Sequence, residues 1–299
     1  MQQISNSSFH TTRLWIDYIT LCKPKVVILL LVTAMVGMQL ASPTPTASIQ
    51  MFIATIGIGL GASAAAVINH LVDIAVDGKM KRTQSRPLAT GRISKRNAML
   101  FSLFLGLSSM LLLTVYINLL TAVLTFSGLI GYAVIYTIYL KHSTPQNIVF
   151  GGLAGALPPL LGWTSITNSI DIEAMLLVLI IFIWTPAHFW PLAIDRVNDY
   201  KNANVPMLPV THGINYTKSW IIFYSIILVF VSLLPYFHNM NGLLYLISAI
   251  LLGGYFLFFT FKLKYKPSEN SAMETFYASI TYLFLLFMAL LIDHALTSN

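Results

Sequence analysis

Asn69, Asp73 and Asp77 recur at intervals of four and run into Lys79, Lys81, Arg82 and Arg86. Positions four apart stack on one face of a helix. An amide and two carboxylates therefore form an oxygen-bearing stripe with cations just beyond its end. A second acidic group, Asp195 and Asp199, precedes Lys201. Magnesium takes hard oxygen ligands and is commonly held by one or two carboxylates plus substrate phosphates. A diphosphate cannot approach four carboxylates without a cation between them. The residues thus suggest that Asp73, Asp77, Asp199 and Asp195 hold Mg2+, and that the metal holds a diphosphate. Asn69 would supply a neutral oxygen or a hydrogen bond. Lys79, Lys81, Arg82, Arg86 and Lys201 would contact phosphate oxygens, the arginines by paired contacts. Plainer readings stand beside this one. Aspartates at helix ends can simply be solvated, and a basic loop can serve only to fix topology, above all at Arg92, Lys95 and Arg96.

These groups need elements to hold them. Of the 299 residues, 57% are hydrophobic and only 9% charged, against about 25% charged in a soluble domain. Apolar stretches of about 20 residues cross a hydrocarbon core. Nine are legible, at roughly 26–41, 48–68, 97–117, 119–140, 146–166, 171–193, 218–237, 241–261 and 274–295. All 17 lysines and arginines fall before the first span or in alternate connections, on one side. Cations stay in the cytoplasm, which predicts an all-α, polytopic protein of the cell (inner) membrane with the N-terminus inside and the C-terminus outside. One membrane domain, 26–295, is expected between an N-terminal tail with an interfacial helix (1–25) and a short tail (296–299). The helix is read over 9–22, with Trp15, Tyr18, Ile19 and Cys22 on one face. Residues 1–25 lack the pattern of a cleaved signal peptide. The single cysteine, Cys22, excludes an internal disulfide. No nucleic-acid partner is expected.

Spans two and six both run from outside to inside, so their acidic ends reach the same face. A carboxylate at the bilayer centre costs at least ~2.5 kcal/mol, so these acids should not face lipid. A lipid-tailed diphosphate is a natural ligand: its tail enters the bundle and its head stays at the cytoplasmic rim. If the tail is allylic, cations stabilise the charge on the departing diphosphate. Aromatic faces and exclusion of water protect the allylic cation. Tyr132, Tyr136, Tyr139, Trp163, Trp184 and Trp190 are candidates for that role, as they are for plain packing.

The stripe with Met80, Arg82-Thr83 and Arg86-Pro87-Leu88 resembles the first motif of the UbiA-type intramembrane prenyltransferases. Four further segments are similar to the protoheme IX farnesyltransferase (heme O synthase) family within that superfamily. They are Trp184-Thr185-Pro186-Ala187-His188-Phe189-Trp190; Asp199-Tyr200 with Pro206-Met207-Leu208-Pro209-Val210; Asp17-Tyr18 with Lys23-Pro24-Lys25; and the glycine- and proline-rich run from Gly151 to Trp163. The resemblance implies a nine-helix UbiA-type bundle. It implies transfer of farnesyl from farnesyl diphosphate to a vinyl group of heme b, with water addition giving heme O, and a requirement for magnesium. It allows handover of product to heme A synthase or a terminal oxidase. Ala187 stands where the family has a second proline, Asn204 where glycine is common, and Asp195 where the family is usually not acidic.

His188 is open between a ligand on the heme side and a hydrogen-bonded bundle histidine. His70 lies off the acidic stripe and is given no role. Two rival readings remain. One is a related enzyme prenylating an aromatic ring, against which the Pro186–Trp190 run argues. The other is a transporter of an anionic or phosphorylated solute, which would not need the two acidic ends to converge.

Overall fold

In lipid a spanning segment must satisfy its own backbone polar groups, which a helix does. The computed structural model describes residues 14–42, 49–80 and 83–297, with only the backbone at 142. Among them nine helices are long and apolar enough to cross a membrane. We label them α1 (Pro24–Ala41), α2 (Ile49–Val72), α3 (Lys95–Tyr116), α4 (Leu119–Leu140), α5 (Asn147–Thr167), α6 (Ile172–Asp195), α7 (Ile214–Phe237), α8 (Leu243–Tyr265) and α9 (Ser271–Thr297). They agree with the nine predicted spans to within a few residues, and the described residues contain no strand.

Local sequence explains the boundaries. Pro24 sits in the first turn of α1, where its missing N–H costs nothing. Ser94 caps α3 by accepting from Asn97 N at 3.1 Å, and Asn118 caps α4 by accepting from Thr121 N at 2.8 Å. The α8 start is capped from another helix: Asp293 of α9 accepts from the backbone of Gly242 and of Tyr245. Pro158 and Pro159 break α5 into Asn147–Ala156 and Pro158–Thr167. The second half of α4, Gly131–Leu140, is wound as a π-helix, a form that often marks functional sites.

Asn204 adopts φ 54°. That is the left-handed conformation in which glycine is free and asparagine is tolerated.

The helices form a closed bundle. α2 packs on α3, α1 on α5, α6 on α7, and α8 on α7 and α9, while α9 returns to touch both α6 and α1. The α1–α5 contact is backbone on backbone. A Cβ added to Gly37 would lie 2.1 Å from the Pro159 carbonyl oxygen, and one added to Gly162 would lie 1.9 Å from that of Ala34. Small residues at such crossings are how helices associate without a hydrophobic drive between them.

Before α1, a short helix covers 14–21. Trp15 and Ile19 are exposed on it, Tyr18 meets Phe101 edge-on with ring centroids 4.9 Å apart, and Leu21 is fully buried. Of the helix expected over 9–22, residues 14–21 are helical; its start, the tail 1–8 and the turn 43–46 lie outside the described residues.

Candidate active site

The stripe survives a break in its helix. α2 ends at Val72, and one more turn runs over Ile74–Asp77. Across the break the helical bonds continue, Asp73 N to Asn69 O at 3.0 Å and Asp77 N to Asp73 O at 2.8 Å. The three side chains therefore stay one turn apart, and all are buried.

Each has its own cationic partner. Lys141, at the end of the π-helical segment, places Nζ 2.6 Å from Asp73 Oδ1. The contact is not aligned as a hydrogen bond, because Asp73 Oδ1 has no hydrogen-bond partner among the described residues. It is an ion pair the ammonium can leave. Arg86 Nη1 donates to both oxygens of Asp77 at 2.8 Å. Lys23 donates to Asn69 Oδ1, and Asn69 Nδ2 donates to Thr137 Oγ1 at 3.2 Å. Burial, then the charge of Arg86, holds the Lys23 ammonium down to about 8. His70, which the sequence left without a role, is buried with Nδ1 3.9 Å from Asp77 Oδ2. Neither of its ring nitrogens has a hydrogen-bond partner among the described residues.

Lys23 also lines the mouth of an apolar cavity of about 800 Å3, counting its open end. Val27, Ile58, Ala65, Leu129 and Pro158 are among its walls, and Tyr132 lines it as well. Tyr132 stacks on Tyr136 with ring centroids 5.5 Å apart. Tyr136 in turn lies within electrostatic reach of Asp73 and of Tyr200. The other aromatic candidates are placed elsewhere. Tyr139 is 65% exposed on the bundle surface. Trp163 donates to Asp171 at 2.6 Å, near the start of α6 and far along the chain from its acidic end. Trp190 is packed in the core edge-on to Tyr224.

The α6 end reaches the same side of the bundle. Val76 and Met80, beside the stripe, share one apolar cluster with Trp190, Tyr200, Ala203 and Val205. Asp199 is half-buried next to Tyr200 in the turn Val197–Asn202. Asp195 is turned to its neighbour Arg196 at 3.0 Å, and Lys79 and Lys201 are exposed. Lys81 and Arg82 lie outside the described residues. No three His, Cys, Asp or Glu side chains gather into a metal-holding group among the described residues. The structure thus brings Asn69, Asp73, Asp77 and Arg86 together and adds Lys23, Lys141 and His70. Lys23 was legible as a cation preceding the first span and as part of the family-like Lys23-Pro24-Lys25, without a role in the site, and Lys141 only as the lone cation between spans four and five.

The donor set fits magnesium in the way that ion is usually held, by one or two carboxylates with phosphate oxygens completing the shell. Asp73 and Asp77 offer buried hard oxygen atoms, paired here with Lys141 and Arg86.

His188 lies in a separate aromatic stack. Its ring is parallel to Trp184 at 4.0 Å and to Phe276 at 4.6 Å. Its Nδ1 pairs with Ser279 Oγ at 2.7 Å.

Comparison with known proteins places this arrangement in context. The chain is 51% identical over 291 residues to protoheme IX farnesyltransferase 2 of Pseudoalteromonas atlantica, covering 97% of this chain and 94% of that one. It is 53% identical to protoheme IX farnesyltransferase of Legionella pneumophila (strain Lens), covering 94% and 95%. Its fold superposes on a digeranylgeranylglyceryl phosphate synthase with TM-score 0.79 at 19% identity, covering 94% and 98%. It also matches a UbiA homologue from Archaeoglobus fulgidus bound to DMAPP and Mg2+, with TM-score 0.70 at 20% identity, covering 92% and 99%. The model of the UbiA prenyltransferase family matches residues 30–291, and this multi-pass membrane protein therefore belongs to the UbiA prenyltransferase family.

Proposed function

We propose that the chain transfers farnesyl from farnesyl diphosphate to a vinyl group of heme b, making heme O. The observation that carries the reading is the stripe Asn69/Asp73/Asp77, each member paired with a cation, set beside an apolar cavity that Lys23 and Tyr132 share with it. A prenyl tail fits the cavity and its diphosphate fits the charged rim. The relatives' names supply heme as acceptor. The Archaeoglobus homologue supplies the precedent of a prenyl diphosphate with Mg2+ in this fold.

Asp73 and Asp77 would hold magnesium, with Asp199 from the facing turn and Asp195 less directly placed. When bound, the metal draws charge from the departing diphosphate. Lys141 and Arg86 would then turn from the carboxylates to the phosphate oxygens, joined by Lys23 and, from the basic loop and the α6 end, by Lys79, Lys81, Arg82 and Lys201. Heterolysis breaks the farnesyl C1–O bond, and the electron pair leaves with diphosphate. C1 bonds to the terminal vinyl carbon, and the new carbocation beside the porphyrin ring takes a water oxygen and loses a proton. Tyr132, which lines the cavity, would offer a ring face to an allylic cation, and the apolar walls would keep water away until addition. His188 would contact the heme. The cation partition supports a site at the cytoplasmic face, with the N-terminus inside and the C-terminus outside, and residues 26–295 would form one membrane domain. Release of heme O to heme A synthase or to a terminal oxidase belongs to the same reading.

Purified protein incubated with heme b, farnesyl diphosphate and Mg2+ should yield heme whose mass has risen by one farnesyl and one hydroxyl group, its vinyl converted to a hydroxyethylfarnesyl chain. Unmodified heme, with an aromatic acceptor prenylated instead, would favour the ring-prenylating alternative.

A further inference from the structure

Arg92, which the sequence left among the cations that fix topology, is tied into the site through a chain of hydrogen bonds. Its Nε donates to Asp17 Oδ2 at 3.0 Å and its Nη2 to Asp17 Oδ1 at 3.1 Å, and Asp17 is buried on the short helix 14–21. The same Nη2 donates to the Ser85 carbonyl at 3.0 Å, and Nη1 donates to Thr90 Oγ1 at 2.8 Å. Thr90 Oγ1 and Thr90 N each donate to the Arg86 carbonyl at 3.0 Å. Arg92 therefore holds the carbonyls on both sides of Arg86, that of Ser85 directly and that of Arg86 through Thr90, and fastens this backbone to the short helix 14–21. Beneath this clasp lies an apolar floor: Leu21 of the helix packs with Leu88 and Ile93 of the loop.

The helix fixes a second cation. Its last turn leads directly to Lys23, whose N donates to Thr20 O at 3.1 Å and whose φ of 50° aims the chain into α1. One short helix thus sets the position of Lys23 against Asn69 and, through Arg92, of Arg86 against Asp77. A paired arginine–carboxylate contact is stiff as well as strong, which suits holding a geometry.

We infer that Asp17 and Arg92 are positioning residues for the diphosphate-binding cations Lys23 and Arg86, acting on the prenyl donor and not on the acceptor. The inference rests on the reading that Lys23 and Arg86 bind diphosphate. Displacement of a binding group by about 1 Å can cost up to about 10²-fold. Arg92 is 30% exposed, so part of its hold on Asp17 is screened, and an effect of about 10-fold is expected.

The test uses the full chain purified in detergent, with Asp17→Asn, Arg92→Gln and the reversal Asp17→Arg/Arg92→Asp. Each single variant should raise KM for farnesyl diphosphate about 10-fold with KM for heme unchanged, the thermal midpoint falling but staying above the assay temperature. Amide hydrogen exchange should quicken in loop 83–94. The reversal should recover part of the donor KM, because it restores the link to the helix. Equal changes in both KM values, an unaltered donor KM, or a reversal worse than either single variant would overturn the inference. So would failure of the single variants to accumulate folded, which would make the pair a folding element. Lys23→Met and Arg86→Met separate the two levels. If they leave donor KM unchanged, the diphosphate reading itself fails; if they raise it while the Asp17 and Arg92 variants do not, only the clasp fails.

Discussion

Asp73 and Lys141 offer a perturbation that separates holding the fold from doing chemistry. At 2.6 Å, and with an effective dielectric of about 20, the pair gains roughly 6 kcal/mol of gross attraction. Removing both charges from water takes back much of that. Breaking one partner is different, because it strands the other. Asp73 Oδ1 has no hydrogen bond to fall back on among the described residues, and the Lys141 side chain is only 13% exposed. Loss of one partner of a buried pair costs about 3–5 kcal/mol, and the residual exposure of Lys141 puts the expected loss near the lower figure. Asp73→Asn and Lys141→Met should each lower the thermal midpoint in detergent, and Asp73→Asn/Lys141→Met should recover most of the loss. Turnover should not follow stability. Asp73→Asn and the double variant should both lose about 10²-fold or more in heme O formation, the scale of removing one strong electrostatic contribution at a reacting centre. Stability losses that simply add in the double variant would refute the pairing. Near-normal turnover in the folded double variant would remove Asp73 from the metal site.

Asp77→Asn and Asp199→Asn should each abolish heme O formation in folded, membrane-inserted protein; turnover within a few-fold of the parent would exclude that residue from the metal site. His188→Ala should weaken heme binding, read by absorbance titration, more than binding of a farnesyl diphosphate analogue, and the reverse order would return His188 to the role of a bundle histidine. Lys23 has its folded pKa lowered to about 8 from 10.5, chiefly by burial, so its proton is lost as pH rises through about 8. Its charged form opposes folding below that point, and the cost is relieved between about 8 and 10.5. Donor KM should therefore climb above about pH 8, and an unchanged profile in Lys23→Arg would refute the assignment. Gly162→Ala should cost about 1–3 kcal/mol or more by forcing α1 from α5, since the new Cβ would lie 1.9 Å from the Ala34 carbonyl oxygen; a thermal midpoint equal to the parent's would show that the crossing can relax.

Helix number and span were legible because each obeys a one-dimensional rule. A span must be long and apolar, and cations must stay on one side. The partition of all 17 cations gave a check that did not depend on judging any one span. The stripe was legible for the same reason, since i to i−4 spacing is local. Its helix breaks at Asp73, which no spacing argument foresaw, yet the backbone bonds carry the register through. The partners were not legible. Lys141 follows Asp73 by 68 positions and meets it only because the π-helical half of α4 turns that end of the helix toward α2. Nothing in the chain around Lys141 distinguishes it from a cation that merely fixes topology.

His70 shows the same limit from the other side. Counting along the helix puts it off the stripe, next to Asn69. The structure sets its ring 3.9 Å from Asp77: seven residues are nearly two helical turns, so His70, though off the face of its neighbour Asn69, shares that of Asp77. The cations explain why this site can be buried before any ligand arrives. Two carboxylates at 2% and 4% exposure would oppose folding if left bare. Lys141 and Arg86 neutralise them in the free protein, and those same groups are the ones a magnesium diphosphate needs. Under the proposed function, binding would exchange partners with little change in the number of paired charges, metal replacing the cations at the carboxylates and phosphate receiving the cations.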